Sequence, residues 1–313
     1  MISFADMQEG NLIHLNGPGL IPVKLINSFR AAIDSNSSPE DARKVLWTRF
    51  ENDYQEFPAY LWECNGDAFS FFVYSKQNDK IDILWCHQLR ALFPVETYLR
   101  PAAIALVEAL QQDLGATRII SQFSSWNALV GVDLLSTVLP ELSFKRFDVE
   151  IMDSQISGAN DLKLEELPGS LKCTSWDLGR SDKAAALMSA VGDSFIKYAR
   201  LSGEECRGFI DRVFDPGMSR MIIDENGQLI AFINFNRRGW IGQIFTRADY
   251  QGRGLGKHLL TLAFRMLSEK NVQKASLAVL ADNLRAQKLY RGFGFKSVSS
   301  SPLWAWCAYP GAG

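Results

Sequence analysis

The sequence predicts two similar domains, each combining helices with a β-sheet, set one after the other along the chain. Three observations lead there. An Asn-Gly pair between apolar, alternating flanks occurs twice, in "WECNGDAFSFFVY" (Trp62 to Tyr74) and "IDENGQLIAFINF" (Ile223 to Phe235); this is the strongest short signal for a β-hairpin. Each hairpin is preceded by a helix with a capping signature and followed by a strand, a long amphipathic helix and a second β-type run. The offset between Asn65 and Asn226 nearly equals that between Asn127 and Asn283, which follow those β-type runs. A repeat that holds its period across half the chain indicates two copies of one plan.

In the first half, Ser38-Pro39-Glu40-Asp41 puts Ser at an N-cap and Pro at the first helical position. Apolar Val45, Leu46 and Phe50 follow. After the first hairpin come the strand "KIDILWCHQL", a helix from roughly Ala102 to Asp113 ending near Gly115, the β-type run "TRIISQF", and Asn127 ahead of "FKRFDVEI". In the second half, Ser202-Gly203-Glu204-Glu205 fits a capping box. Cys206, Phe209, Ile210, Val213 and Phe214 continue it at helical spacing. The second hairpin is followed by "GWIGQIFTR" and a helix from Leu255 to Glu269 with Leu255, Leu259, Leu262 and Met266 on one stripe. Then come "KASLAVL", Asn283 and "FGFKSV". The join falls in the polar stretch "DSQISGAND", giving domains 1–157 and 158–313, and "AYPGAG" reads as a loose tail.

Composition narrows the function. Lys plus Arg number 33 and Asp plus Glu 35, a formal charge of −2, which argues against bulk electrostatic binding to nucleic acid or an anionic membrane. No apolar run is long enough to span a bilayer, and the start carries Asp6 and Glu9 with no basic region, unlike a secretory signal. Cys64, Cys86, Cys173, Cys206 and Cys307 form no CxxC or disulfide pattern, so a reducing, cytoplasmic setting is expected. His14, His87 and His258 are scattered, and no metal is expected. Cys86 and His87 are neighbours in a strand; side chains there point to opposite faces, so they are not read as a catalytic pair.

The chemistry concentrates in "ADYQGRGLGKHLL", residues 248–260, where Gly252, Gly254 and Gly256 join a strand to a helix. Glycines there let the backbone approach a ligand without Cβ interference. The first amides of the helix lack intrahelical partners, and the helix dipole adds partial positive charge. With Arg253 and Lys257 close by, the site suits a phosphate or pyrophosphate. The spacing G-x-G-x-G is not the dinucleotide G-x-G-x-x-G, and a P-loop would need one more residue and a hydroxyl where His258 stands. The pattern that fits throughout is Arg or Gln, any two residues, Gly, any residue, then Gly or Ala: Gln251-Gly252-Arg253-Gly254-Leu255-Gly256.

That hexapeptide resembles the acyl-CoA pyrophosphate loop of the GNAT N-acyltransferase superfamily. A second block, "ADNLRAQKLYRGFGF", is similar to the family's later motif through Asn283, Ala286, Leu289, Tyr290, Gly294 and Phe295. The resemblance is specific over about residues 220 to 300. It implies an α+β (α/β GNAT) fold, two tandem acyl-CoA N-acyltransferase-like domains, each a mixed, mostly antiparallel sheet flanked by helices. It implies acetyl-CoA as co-substrate, with the diphosphate on Gln251 to Lys257 and the pantetheine arm along Phe245 and Thr246. Asn283 would bond to that arm or to backbone, and Tyr290 would be the general acid, its phenol close to a thiol in ordinary pKa. Many relatives carry a Glu on the strand where this chain has Gln243. The base is therefore open between a water on Gln243, a carboxylate such as Glu204 or Glu205, and none. The first half has "FPVETYLRPAA" at the loop position, with Glu96 and no glycine, and reads as a degenerate copy that does not bind CoA. The expected acceptor is a small-molecule or peptide amine, with residues 192–205, Trp240 and Phe235 as candidate lining. Two rivals are a non-catalytic CoA-binding sensor or scaffold and a nucleotide-phosphate enzyme.

Overall fold

The computed structural model describes residues 10–15, 58–64, 67–77, 79–88, 95–122, 135–156, 162–213, 215 and 217–309. The helix expected after Ser38, the Asn127 segment, the Asn65-Gly66 turn itself, the join at 157–161 and the tail lie outside them. The chain divides into two compact units, Met1–Arg146 with Ser301–Tyr309, and Phe147–Ser300 with Pro310–Gly313. Relative to a cut after residue 157, the strand segment 147–155 and the strand end 301–309 change sides.

In the first unit, β1 (Asn11–Leu15), β2 (Ala59–Cys64), β3 (Asp67–Gln77) and β4 (Lys80–Gln88) form an antiparallel meander. The β2–β3 register includes Cys64 paired with Asp67. Helix α1 (Val95–Gln112) connects β4 to β5 (Arg118–Gln122), which runs parallel to it. Residues 303–307 then pair antiparallel with β5. A short α2 (Leu135–Glu141) completes the described helices. Helix α1 begins before the expected Ala102 and carries Pro101 inside it. The missing Pro N–H removes only one bond, and a face of Ala102, Leu106, Val107 and Leu110 is buried beside Ile119 and Trp304.

The second unit repeats this order. β7 (Lys172–Ser175), β8 (Arg220–Ile223), β9 (Leu229–Phe235) and β10 (Trp240–Thr246) form the meander. Helix α6 (Leu255–Glu269) crosses to β11 (Lys274–Leu280), parallel to β10. The Val149-to-Gln155 part of β6 (Lys145–Gln155) then pairs antiparallel with β11. Between β7 and β8 lie α3 (Ser181–Val191), α4 (Ser194–Tyr198) and α5 (Gly203–Val213). After β11 come α7 (Leu284–Gly292) and β12 (Lys296–Cys307). The capping box forms as expected: Ser202 N–H donates to Glu205 Oε2 at 2.8 Å, and Glu205 N–H to Ser202 Oγ at 3.3 Å.

Two local expectations are refined. The second hairpin is closed by Asp224, whose Oδ1 accepts from Asn226 N–H at 3.0 Å and Gln228 N–H at 2.8 Å. Its loop is therefore longer than a bare Asn-Gly turn, because a carboxylate at the turn's start organises two further amides. On α6 the buried face runs through Leu255, Leu259, Leu260, Ala263, Phe264 and Leu267, while Leu262 and Met266 are only half-buried. That apolar face is wider than a single stripe, as suits a helix lying on a sheet. Every residue of β9 is buried; α3, α5 and α6 all pack against this strand. At about 1.5–3 kcal/mol per fully buried large apolar side chain, this core fixes β9 and its neighbour β10.

Candidate active site

β10 pairs with β11 only through Trp240↔Ser276 and Ile241↔Leu277. Beyond Ile241 the two parallel strands part. The cause is local. A register shift between Ile241 and Gln243 interrupts the β9–β10 ladder, and the Gln243 N–H donates to the side chain of its paired residue, Asn234 Oδ1, at 2.6 Å. Asn234 is fully buried and sends its Nδ2 to the Ile210 carbonyl on α5 at 3.1 Å. One buried amide thus ties a helix to the bulge that bends β10 away. Arg247 N–H bonds to Ile230 on β9, so by alternation the main-chain groups of Ile244 and Thr246 point the other way, into the gap.

The glycine loop follows. A short 3-10 turn, Ala248–Tyr250, precedes it. Arg247 grips Asp249 through two bonds of 2.7 and 2.8 Å, and the Tyr250 ring lies beneath both Arg247 and Arg253, 4.6 and 4.7 Å from their guanidinium carbons. Gly252 and Gly254 both adopt φ of +80°, a conformation that a Cβ disfavours. Gly254 is the N-cap of α6 and offers no side-chain cap; the first intrahelical bond is His258 N–H to Gly254 O at 3.0 Å. Gly256 serves packing: a Cβ there would meet Leu289 Cδ2 at 3.0 Å, so its absence lets α7 lie close to α6.

Strand gap and loop open into one cavity of about 780 Å³, within the range of small-molecule sites. Among the expected residues, Phe245, Thr246, Gln251, Gly252, Gly254, Leu255, Gly256, Lys257, Asn283 and Tyr290 line it. Arg253 does not; it donates Nη2 to the Asp249 carbonyl at 3.0 Å. Gln251 donates Nε2 to the Thr246 carbonyl at 3.0 Å and accepts from Arg285. Asn283 caps α7 by accepting from Ala286 N–H at 3.2 Å. The Phe245 ring stacks on Phe232 at 5.7 Å. Glu204 and Glu205 do not line the cavity, Glu205 being held in the capping box. Of residues 192–205, Gly192 to Lys197 line it; Phe235 is core and Trp240 is half-buried elsewhere.

Tyr290 is 9% exposed and faces the cavity. Its phenol makes no hydrogen bond to another described residue. Burial, with the charge of Asp193 second, pushes its pKa well above the ordinary tyrosine range. Asp193 shares the cavity wall and caps α4, accepting from Ile196 N–H at 3.0 Å. Burial raises its carboxyl above the usual range; the Ile196 amide opposes this and Asp282 adds to it. Asp282 in turn accepts from Ser194 Oγ at 2.6 Å. Gln243 Oε1 is buried in the same wall without a partner. Buried Gln287 donates Nε2 to the Ala281 carbonyl at 2.9 Å, fixing the turn that carries Asp282 and Asn283.

Sequence reasoning missed three of these residues. Asp193 stood inside the segment named as acceptor lining, ahead of Ser194, and the N-cap pattern was its only signal. Asn234 was one polar residue in the apolar run "LIAFINF", a mismatch that marks a buried polar role. Glu165 had no signal. Its carboxylate pairs with Lys257, which holds its pKa below the usual glutamate range, and its backbone carbonyl accepts from buried His258 Nδ1–H at 2.9 Å. Its Oε2 lies 4.0 Å from where a Cβ on Gly254 would sit. Among the described residues no cluster of His, Cys, Asp or Glu could hold a metal, and no helix is long and apolar enough to cross a membrane.

Residues 185–295 match the family model for the acetyltransferase (GNAT) family. The fold is the GNAT fold. A GCN5-related N-acetyltransferase from Sphaerobacter thermophilus superposes with a TM-score of 0.60 at 15% identity, covering 96% of this chain and 97% of that one. A tandem GNAT protein from the clavulanic acid biosynthesis pathway gives 0.55 at 11% identity, covering 97% and 100%. In sequence, the chain is 44% identical over 112 residues to the mycothiol acetyltransferase of Corynebacterium aurimucosum, 32% of this chain and 37% of that protein. It is 36% identical over 64 residues to the spermine/spermidine N(1)-acetyltransferase of Bacillus subtilis, 20% of this chain and 42% of that protein. The chain spans about half or less of the length of the curated relatives it matches.

Proposed function

We propose that this protein is an N-acetyltransferase that moves an acetyl group from acetyl-CoA to an amine. The observation that carries this reading is the parting of β10 from β11 beside a helix N-terminus left uncapped by Gly254. The residues fit the donor. Gly252 and Gly254 keep Cβ atoms away from the amides of Leu255, Gly256 and Lys257, which suit a diphosphate, and Lys257 and Arg285 line the cavity nearby. The Ile244 and Thr246 main chain suits an amide-bearing arm. When bound, acetyl-CoA would supply the activated acyl group. Tyr290 Oη holds a proton at all ordinary pH and is the residue to give it to a departing sulfur.

Two further points belong to this reading. The first unit, with the same strand order and no glycine at its loop position, is a degenerate GNAT copy, so the chain is a tandem protein with domains close to 1–157 and 158–313. The names of the relatives point to a small-molecule acceptor, and the free thiol of Cys173 suits a cytoplasmic setting. One observation favours a non-catalytic CoA-binding sensor instead: Gln243, which cannot titrate, faces the cavity where many relatives carry a Glu. Acetyl-CoA turnover against a panel of amines decides. Transfer that falls about 10²-fold or more in Tyr290→Phe supports the enzyme; CoA binding with no transfer to any amine defeats it. Displacement of CoA by ATP at equal concentration defeats both.

A further inference from the structure

The cavity holds two carboxylates that the donor has no use for. Asp193 and Asp282 come from different elements, the start of α4 and the turn after β11, and Ser194 Oγ joins them by its 2.6 Å bond to Asp282. A pair of acids alone could be a solvated edge. Two buried groups in the same wall argue otherwise. Tyr290, nine-tenths buried, presents a phenol with no partner among the described residues, and Gln243 Oε1 is a buried acceptor with no donor among them. A wall with unused acceptors and two carboxylates lacks one thing, a ligand bearing several N–H bonds and a positive charge.

We propose that Asp193 is the proton acceptor for the incoming amine, and that Asp282 and Gln243 receive that amine as its ammonium ion, so that the acceptor is a cationic aliphatic amine. This rests on the N-acetyltransferase reading and deepens it. The ammonium gives one proton to an Asp193 carboxylate oxygen. The nitrogen lone pair forms the N–C bond to the acetyl carbon and the C–S bond breaks. The sulfur takes the Tyr290 proton, and the second nitrogen proton restores the phenol, leaving an amide, a thiol and a protonated Asp193 that releases its proton to water. Asp193 is suited to this because burial lifts its carboxyl above the usual aspartate range, which makes it the stronger base. The charged or titratable groups that face it are Asp282, Tyr290 and Lys197, the last offsetting part of the negative charge. Helix α3 contributes only apolar Met188 and Val191 to this wall.

The alternative role of Asp193 is the N-cap of α4, and it can be separated. Asp193→Asn keeps an oxygen for Ile196 N–H and loses only the ability to take a proton; Asp193→Ser is a second capping variant without a carboxylate. With 1,3-diaminopropane and acetyl-CoA, both variants should lose about 10²-fold or more in kcat/KM, and the acid limb of the wild-type pH profile should vanish. Without acetyl-CoA, carboxyl 13C NMR of the wild type should show 1,3-diaminopropane shifting the Asp193 and Asp282 resonances. Wild-type kcat/KM and an unchanged pH profile in Asp193→Asn overturn the proposal, as do carboxyl resonances that the diamine leaves unmoved. Should the wild type bind no CoA, the functional reading falls, and the carboxyl titration still decides whether this wall receives a cation.

Discussion

The Gln243 main-chain N–H donates to Asn234 Oδ1, and this 2.6 Å bond is what keeps β10 away from β11. A strand pair in register would close the gap and leave no room for a ligand between the chains. The buried amide makes the parted state the satisfied one, because its other end is used by the Ile210 carbonyl.

Asn234→Ala therefore orphans two polar groups, the Gln243 N–H and the Ile210 carbonyl. At about 1–3 kcal/mol for each buried unsatisfied group, the variant should lose about 2–6 kcal/mol in urea unfolding. A loss below about 1 kcal/mol would mean that the bonds of Asn234 contribute nothing.

The glycines of the loop should not be interchangeable. Gly254 is the N-cap, at φ +80°, where a side chain adds strain of about 1–2 kcal/mol. An alanine that relaxes this strain turns the first amides of α6, and CoA binding should weaken about tenfold, the equivalent of one hydrogen bond to a charged group. Gly256 has ordinary φ, and Gly256→Val should fail for another reason, by pushing Leu289 and with it the helix that carries Tyr290. Calorimetric titration with CoA separates them: Gly254→Ala loses affinity with a small change in Tm, while Gly256→Val loses Tm as well. The loop assignment does not survive a Gly254→Ala variant with wild-type affinity.

Much of the second unit was legible because its signals are local. The α6 limits, the Ser202–Glu205 capping box and the β11 run need only neighbouring residues, and all formed where the spacing put them. The glycine loop was legible because few backbone conformations need glycine at alternate positions. What the sequence did not reveal are relations between distant residues. Glu165 meets Lys257, Asp193 meets Tyr290, and Asn234 meets Gln243 only once the sheet has formed. The start of α1 was missed because Pro101 reads as a boundary, whereas buried Ala102, Ala103, Leu106, Val107 and Leu110 outweigh one lost hydrogen bond.

Glu165 stands where an anionic ligand would compete for Lys257 and for the space next to Gly254. Glu165→Gln removes the competing charge and leaves the backbone carbonyl that binds His258. CoA should bind about two- to fivefold more tightly, the range of one exposed charge pair, and the gain should shrink as salt is raised. Isothermal titration at low and high ionic strength checks both. Weaker binding in the variant would mean that Glu165 orders the loop for its ligand.

Tyr290 sets an expectation for alkaline pH. Burial raises its pKa above the ordinary tyrosine value, so the phenol keeps its proton where a free tyrosine would lose it. If kcat depends on that proton, no fall should appear as pH rises through 10, the usual tyrosine value. A decline in kcat centred at that value, absent in Tyr290→Phe, would show an ordinary, solvated phenol.

Asp193 makes a prediction about stability that is independent of turnover. Its carboxyl titrates higher in the folded protein than in the unfolded chain, chiefly through burial. Its folded form therefore binds a proton more tightly, and the stabilisation this gives is complete below the usual aspartate value. It is lost as pH rises through the raised value, where the folded protein must hold a desolvated charge. Asp193→Asn keeps the cap on Ile196 N–H and never carries that charge. The variant should match the wild type in Tm at acid pH and exceed it above the raised value, the gap opening across that window. Thermal unfolding of both proteins over a pH series reads this directly. A gap that is constant with pH, or a variant less stable at neutral pH, would place Asp193 among ordinary helix caps and remove the physical basis for its basicity.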